Sequence, residues 1–313
     1  MASMLPLIVL VGATASGKSS LAVEIALGLE AQGQGAEVVN ADSMLVYRGM
    51  DIGTAKPTAA ERRGVVHHLI DISDVTESAS VADFQALARG VIDQCRARGV
   101  VPILVGGSAL YTRAIVDQFS FPGTDAQVRA RWEYRLAEIG SDALHAELAT
   151  LSPGTASGIL PGNGRRIVRA LEVIELTGGF SSQLPAWTYA LDDVHQFGLR
   201  LPRDVMDARI EARVHEMWAS GLVDEVLRLE AVGLRRGLTA SRALGYRQIL
   251  AMLDGELTET GAQEAIIRGT RRFARKQLGW YGRDARITWL DAGDPGNVDA
   301  ILGGVGLSSS VGE

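Results

Sequence analysis

The run Gly12-Ala13-Thr14-Ala15-Ser16-Gly17-Lys18-Ser19 fits G-x-x-x-x-G-K-[ST]. It lies directly after an apolar run and directly before helical periodicity, the context in which that spacing acts. Glycines let the backbone curl so that consecutive N–H groups point inward at an anion. The helix that follows turns its positive end to the same point. Lys18 adds a full charge, and the Ser19 hydroxyl is of the type that holds Mg²⁺. The loop therefore speaks for a phosphate group, not for a nucleotide. A P-loop nucleoside triphosphatase usually holds its Mg²⁺ with a second Asp at the end of an apolar strand. Here the run 100–105 ends in Gly106-Gly107-Ser108, without an acid, whereas the run 37–40 leads into Asp42. At the carboxyl edge of an open α/β sheet, where ligands bind, that carboxylate has three possible roles: metal ligand, proton acceptor, or helix cap.

The elements that must position these groups alternate over the first ~115 residues as strand and helix, the pattern of a parallel sheet. Strands are expected at 7–11, 37–40, 69–72 and 100–105. Helices are expected at 18–29, at 80–98 with Phe84, Leu87, Val91 and Cys95 on one face, and after Gly107 through Tyr111 and Ile115. From about 117 to 195 the periodicity is helical, at 128–139, 142–151 and 165–176, with Pro/Gly punctuation between. A return to the sheet is expected at 196–201. Helices follow at 204–220, 222–231, 240–253 and 258–281, then a last strand at 286–290. This gives an α/β core over 1–117 and 196–300, an all-helical insertion over 118–195, and a mobile tail over 301–313.

The chain has 313 residues, 47% hydrophobic and 22% charged, as in a folded domain rather than a disordered one. No apolar run reaches the 18 residues of a membrane span. The apolar 1–11 lacks a positive leader region and reads as a strand, not a signal peptide. One cysteine, Cys95, excludes a disulfide framework and a multi-cysteine zinc site. A cytoplasmic protein is expected. The net charge of −6 argues against a nucleic-acid partner until its distribution is read. Residues 1–163 carry 12 Lys+Arg against 17 Asp+Glu, whereas 261–290 carry Arg268, Arg271, Arg272, Arg275, Lys276, Arg283 and Arg286 against Glu264 and Asp284. Arginine suits bidentate phosphate contacts and stacking on bases. His67 and His68 lack triad or metal-ligand spacing, and Cys95 on an apolar helix face is expected to be inert.

The phosphate loop, the run Asp42-Ser43-Met44-Leu45-Val46-Tyr47-Arg48-Gly49-Met50-Asp51-Ile52-Gly53-Thr54-Ala55-Lys56-Pro57, and His67-His68-Leu69-Ile70-Asp71 together resemble tRNA dimethylallyltransferases. The likeness continues at Val105-Gly106-Gly107-Ser108-Ala109-Leu110-Tyr111, at Arg165-Arg166-Ile167-Val168-Arg169-Ala170-Leu171-Glu172-Val173 and at Ala243-Leu244-Gly245-Tyr246-Arg247-Gln248. Matches run in order over roughly 5–290. The family's usual Pro is Ala13 here, its usual Thr are Ser19 and Ser108, and Arg165 follows Gly164 where the family more often has Gln. No zinc-finger spacing closes the chain, as in the bacterial form.

This resemblance implies a P-loop fold with a helical insertion. It implies transfer of the dimethylallyl group of dimethylallyl diphosphate to N6 of adenosine at tRNA position 37, beside the anticodon. On that reading residues 12–19 hold the diphosphate with Mg²⁺ on Ser19, Asp42 is the base, Ser108 orients the amine or Asp42, and Arg209 and Arg213 reach the diphosphate from one helix face. Asp42, Ser43, Met44, Leu45 and Ser108 would meet the extruded adenine. Arg129, Arg165, Arg166, Ile167, Val168, Arg169, Arg242, Gly245, Tyr246 and Arg247 would contact tRNA. A monomer is expected, with tRNA and the donor as partners and no membrane. Rival readings are an adenylate isopentenyltransferase, a P-loop small-molecule kinase and a non-catalytic tRNA-binding ATPase.

Overall fold

The structure, a computed structural model, describes residues 4–78, 80–181 and 185–307. In chain order it runs β1 (Leu7–Gly12), α1 (Lys18–Ala31), β2 (Ala36–Asn40), α2 (Ala59–Arg62), β3 (His67–His68), α3 (Val81–Ala97), β4 (Val101–Gly106) and α4 (Ala109–Val116). Three helices follow, α5 (Ala126–Leu151), α6 (Pro153–Ser157) and α7 (Gly164–Thr177). Then come β5 (Val194–Arg200), α8 (Arg203–Ala219), α9 (Leu222–Ala231), α10 (Tyr246–Leu253), α11 (Glu259–Tyr281), β6 (Ile287–Asp291) and α12 (Asn297–Gly304). The chain divides into two compact units, one of residues 1–117 and 189–313, the other of Gln118–Thr188.

The first unit is built on a six-stranded sheet in the order β3-β2-β4-β1-β5-β6, every pair parallel. All six residues of β1 are buried, as a strand covered on both faces requires. Its side chains alternate: Leu7, Val9 and Val11 join one apolar core with Val39, Leu104 and Ile266, while Ile8 and Leu10 join another with Ile25, Val38 and Ile301. β3 is only two residues long and precedes the expected 69–72. Leu69 and Asp71 there have positive φ, which strand pairing does not allow. The buried face of α3 is Phe84, Ala88, Ile92 and Cys95. Leu87 lies half exposed, because the i+4 step rather than the i+3 step from Phe84 faces the sheet. The stretch 240–253 is not one helix but a turn at Ala240–Arg242 followed by α10. The start of the expected tail is helical, since Ile301 and Leu302 of α12 are buried in the core that α1 covers. Residues 308–313 lie outside the described residues. No helix among the described residues is long and apolar enough to cross a membrane.

The second unit packs α5, α6 and α7 around Leu144, Leu148, Ile159, Ile167, Val168 and Leu171. α5 breaks at Gly140 (φ 79), where a left-handed residue interrupts the helix. The unit ends at Thr188, short of the expected 195. Tyr189 pairs with Asp117 in an isolated bridge, and β5 has begun by Val194.

Candidate active site

The carboxyl ends of β1, β2 and β4, three adjacent strands, carry the groups of interest. After β1 the chain enters the phosphate loop with Gly12, Ala15 and Gly17 at positive φ (145, 63 and 90), which curls the backbone before α1 begins at Lys18. The Lys18 ammonium donates to Ala13 O at 2.6 Å and lies 3.4 Å from Ser16 Oγ. Burial holds its pKa down at about 8, opposed by the charge of Asp42 and assisted by Arg213. These effects place Lys18, Asp42 and Arg213 in one electrostatic neighbourhood. Thr14, Ala15, Gly17, Lys18 and Ser19 line a cavity of about 780 Å³. Gly12, Ala13 and Ser16 are buried behind them and shape the loop.

Asp42 is fixed by its backbone rather than its side chain. Asn40 Oδ1 accepts from Asp42 N at 2.7 Å, and Asn40 Nδ2 donates to Asp42 O at 2.9 Å and to Leu69 O at 3.0 Å. The carboxylate accepts one bond, from Met44 N at 2.9 Å, and faces the cavity with Ser43, Met44 and Leu45. Desolvation raises its pKa above the ordinary carboxylate value, against the Met44 N–H and Lys18, which lower it. The loop passes so close to β4 that a Cβ on Gly106 would stand 2.5 Å from Ala41 O. This close approach brings Asp42 beside Gly106-Gly107-Ser108. Ser108 begins α4 without capping it by a side-chain bond, so its hydroxyl remains available on the cavity wall.

α8 supplies Arg213, which lines the cavity and is half buried. Arg209, one turn earlier, is exposed and outside the lining, although its charge still lowers the pKa of Arg213. Ile210, Val214, Met217, Leu244, Ile266 and Phe273 give the cavity an apolar side. Its oxygen donors are hard: the Ser19 hydroxyl and the Asp42 carboxylate share the wall with the phosphate loop. That set fits Mg²⁺, which takes one or two protein oxygens and completes its shell with phosphate and water.

The RNA candidates separate. Arg242 and Gly245 line the cavity, and Arg165, Arg166 and Arg247 are exposed. Tyr246 is fully buried, with its hydroxyl donating to Glu225 at 2.6 Å. Ile167 and Val168 lie in the core of the helical unit. Those three side chains therefore offer RNA no surface, because the apolar positions of α7 and α10 are spent on packing. Arg129 and Arg169 both bind the buried Glu172 carboxylate, at 2.7 and 2.9 Å. On α11, Arg268 pairs with Glu264, and Arg271 with Glu211; after it, Arg286 pairs with Asp117 and Asp284. Arg272, Arg275 and Lys276 are exposed and make no ion pair among the described residues.

Two residues that brace the cavity wall escaped the sequence. Glu225 of α9, 3% exposed, accepts from Asp51 N (3.0 Å), Ile52 N (2.7 Å) and Gly53 N (3.2 Å) as well as from the Tyr246 hydroxyl. It ties the Asp51–Pro57 run, all of which lines the cavity, to the Gly245-Tyr246 run. Gln277 of α11 joins the phosphate loop to Gly107. Lys56 is structural: its buried ammonium donates to Tyr47 O, Asp51 and Asp71. Glu37, His68 and Cys95 meet within metal-ligand range. Arg98 takes both Glu37 oxygens, at 2.9 and 2.5 Å, holding that carboxyl down at about 2 with help from His68. The Cys95 thiol is pushed up to about 11 by burial, so it stays protonated and inert.

The profile of the IPP transferase family matches residues 45–284. A tRNA dimethylallyltransferase of Kineococcus radiotolerans is 60% identical over 291 residues, 92% of each chain. Its counterpart from Cutibacterium acnes is 56% identical over 298 residues, 95% of this chain and 93% of the relative. The crystal structure of the full-length tRNA isopentenylpyrophosphate transferase of Bacillus halodurans superposes with a TM-score of 0.70 at 40% identity, covering 96% of this chain and 97% of that one. The match spans the strands, the loops and the cavity wall alike: this chain belongs to the IPP transferase family.

Proposed function

We propose that the protein transfers a dimethylallyl group from dimethylallyl diphosphate to N6 of adenosine at position 37 of tRNA, within the anticodon stem-loop, releasing diphosphate. The observation that carries this reading is the shared wall. A phosphate loop with Lys18, the Arg213 guanidinium and the Asp42 carboxylate all face one cavity whose remaining side is apolar. The names of the curated relatives supply the group transferred and the acceptor class.

An allylic diphosphate parts from its carbon when the leaving charge is stabilised. Lys18, Arg213 and the loop N–H groups other than that of Thr14, which Gln277 takes, are donors fixed in advance toward that charge. Mg²⁺, held by Ser19 with Asp42 as the nearby carboxylate, would neutralise part of the diphosphate charge when bound. The adenine amino group is a weak nucleophile, since its lone pair is delocalised into the ring. Asp42 accepts its proton as the C–N bond forms, and its raised pKa makes it a stronger base than an exposed aspartate. Ser108 orients the amine, and Met44 and Leu45 pack against the base drawn out of its stack. Arg242, Arg247, Arg272, Arg275 and Lys276 form the RNA-facing set. A cytoplasmic monomer agrees with this role.

The test is incubation with labelled dimethylallyl diphosphate and bulk tRNA, AMP or no acceptor. Label in tRNA supports the reading. Label in AMP instead assigns an adenylate isopentenyltransferase, and none in either rejects prenyl transfer.

A further inference from the structure

The Gln277 side chain is 5% exposed and both ends of its amide are used across the carboxyl ends of β1 and β4. Oε1 accepts from Thr14 N at 2.9 Å, and Nε2 donates to Gly107 O at 2.9 Å. Thr14 belongs to the phosphate loop, and Gly107 immediately precedes Ser108. A Cβ on Gly107 would stand 2.5 Å from Gln277 Nε2, so the amide fits only because residue 107 has no side chain. Tyr281, one turn further along α11, lies 3.3 Å from Gly106 O through its hydroxyl. One helix thus braces the phosphate loop and the Gly106–Ser108 turn together.

The amide offers an acceptor oxygen for an N–H and, on the same carbon, a donor nitrogen for a carbonyl. The Thr14 N–H, part of a loop built to present N–H groups to an anion, is thereby committed to the protein and keeps a fixed direction. The Gly107 carbonyl is held likewise, and with it the start of α4, where Ser108 stands.

We propose that Gln277 is a positioning residue that sets the spacing between the phosphate loop and the Ser108 side of the cavity. It holds the donor's diphosphate and the acceptor's amine at attack distance. This rests on the transfer reading above. It needs no contact between Gln277 and either substrate. Misplacement of reacting groups by about 1 Å can cost on the order of 10²-fold in rate. The signature is therefore a loss in the chemical step with binding kept.

Two variants test it. Gln277→Met has similar length and neither bond. Gln277→Glu keeps an acceptor for Thr14 N but loses the donor to Gly107 O. Measured quantities are the single-turnover transfer rate at saturating donor and tRNA, the affinity for inorganic diphosphate by titration calorimetry, the tRNA affinity and the melting temperature. The expected result for Gln277→Met is a rate lowered by about 10²-fold, with diphosphate and tRNA affinities within about threefold of the parent. Gln277→Glu should also be slowed, which covers the case in which the Met variant does not fold. A saturated rate within threefold of the parent in a folded variant overturns the proposal. A rate that recovers at saturating donor while diphosphate affinity collapses overturns it too, because Gln277 would then be a donor-binding residue. A parent protein that transfers nothing to tRNA would refute the transfer reading itself, which the parent control shows before any variant is compared.

Discussion

Replacing Asp42 by Asn leaves the size, the shape and one amide oxygen for Met44 N, and removes the ability to take a proton. The fold should barely register it. The loop is clamped through the backbone by Asn40 on both sides of Asp42, and an Asn Oδ1 can keep the 2.9 Å bond from Met44. Stability should hold or rise at neutral pH. A carboxyl whose folded pKa is raised contributes its stability below the unfolded pKa and loses it as pH rises through the folded one. Asp42 is such a group, raised first by desolvation, so at pH 7 its charge is a net cost that Asn relieves. The chemical step is another matter. General-base catalysis is worth roughly 10²–10⁴-fold, or about 2.7 kcal/mol at the lower bound. The single-turnover rate of Asp42→Asn should therefore fall by at least about 10²-fold. In the parent, the rate should fall on the acid side with an inflection above the ordinary carboxylate range, and the variant should lack that limb. The assay is quenched-flow transfer of labelled dimethylallyl to tRNA over a pH series, with melting curves on the same samples. A rate within a few-fold of the parent, or an acid limb that survives in Asp42→Asn, refutes the role of base. Weakened donor binding rescued by excess Mg²⁺ would make Asp42 a metal-side residue instead.

Four further outcomes follow from the same structure. The free protein's affinity for inorganic diphosphate should decline above pH about 8, where Lys18 loses its proton; Lys18→Arg should remove that inflection, and an unchanged profile would show that the lysine is not the titrating group. Arg213→Ala should raise donor KM by tenfold or more, about 1.4 kcal/mol, and Arg209→Ala by clearly less; equal effects would contradict the cavity placement of Arg213. Glu225→Ala strands three backbone N–H groups and a tyrosyl hydroxyl at about 1–3 kcal/mol for each buried group left unpaired, and calorimetry should show a melting temperature several degrees lower. Replacing Arg272, Arg275 and Lys276 by Ala should flatten the log–log salt dependence of tRNA affinity by about one unit for each phosphate no longer gripped, whereas Arg271→Ala, paired with Glu211, should leave the slope nearly intact.

What could be read from the chain was local. The phosphate loop announces itself because strand, glycines, lysine and helix are contiguous. Asp42, two residues past the end of β2, stood out as a carboxylate at the sheet edge, but only the family resemblance made it the base. Arg213 was legible only as half of a pair, since i and i+4 share a helix face but only the fold decides which reaches the cavity. Gln277 and Glu225 were invisible. Each reads as an ordinary polar residue of a helix, and each acts through backbone groups 263 and 172–174 positions away. Tyr246, Ile167 and Val168 misled because a residue inside a motif need not touch a ligand, and the folded chain uses these three to pack. Leu87 failed for a smaller reason, the choice between i+3 and i+4 from Phe84. The strand expected at 69–72 failed because positive φ at Leu69 and Asp71 leaves no mark in apolar patterning.

The most direct measurement uses two synthetic anticodon stem-loops that differ only at position 37, one with adenosine and one with guanosine, incubated with labelled dimethylallyl diphosphate and digested to nucleosides. Label recovered as N6-isopentenyladenosine from the first and absent from the second is the predicted result. Equal label in both, or label on another nucleoside, would contradict the account.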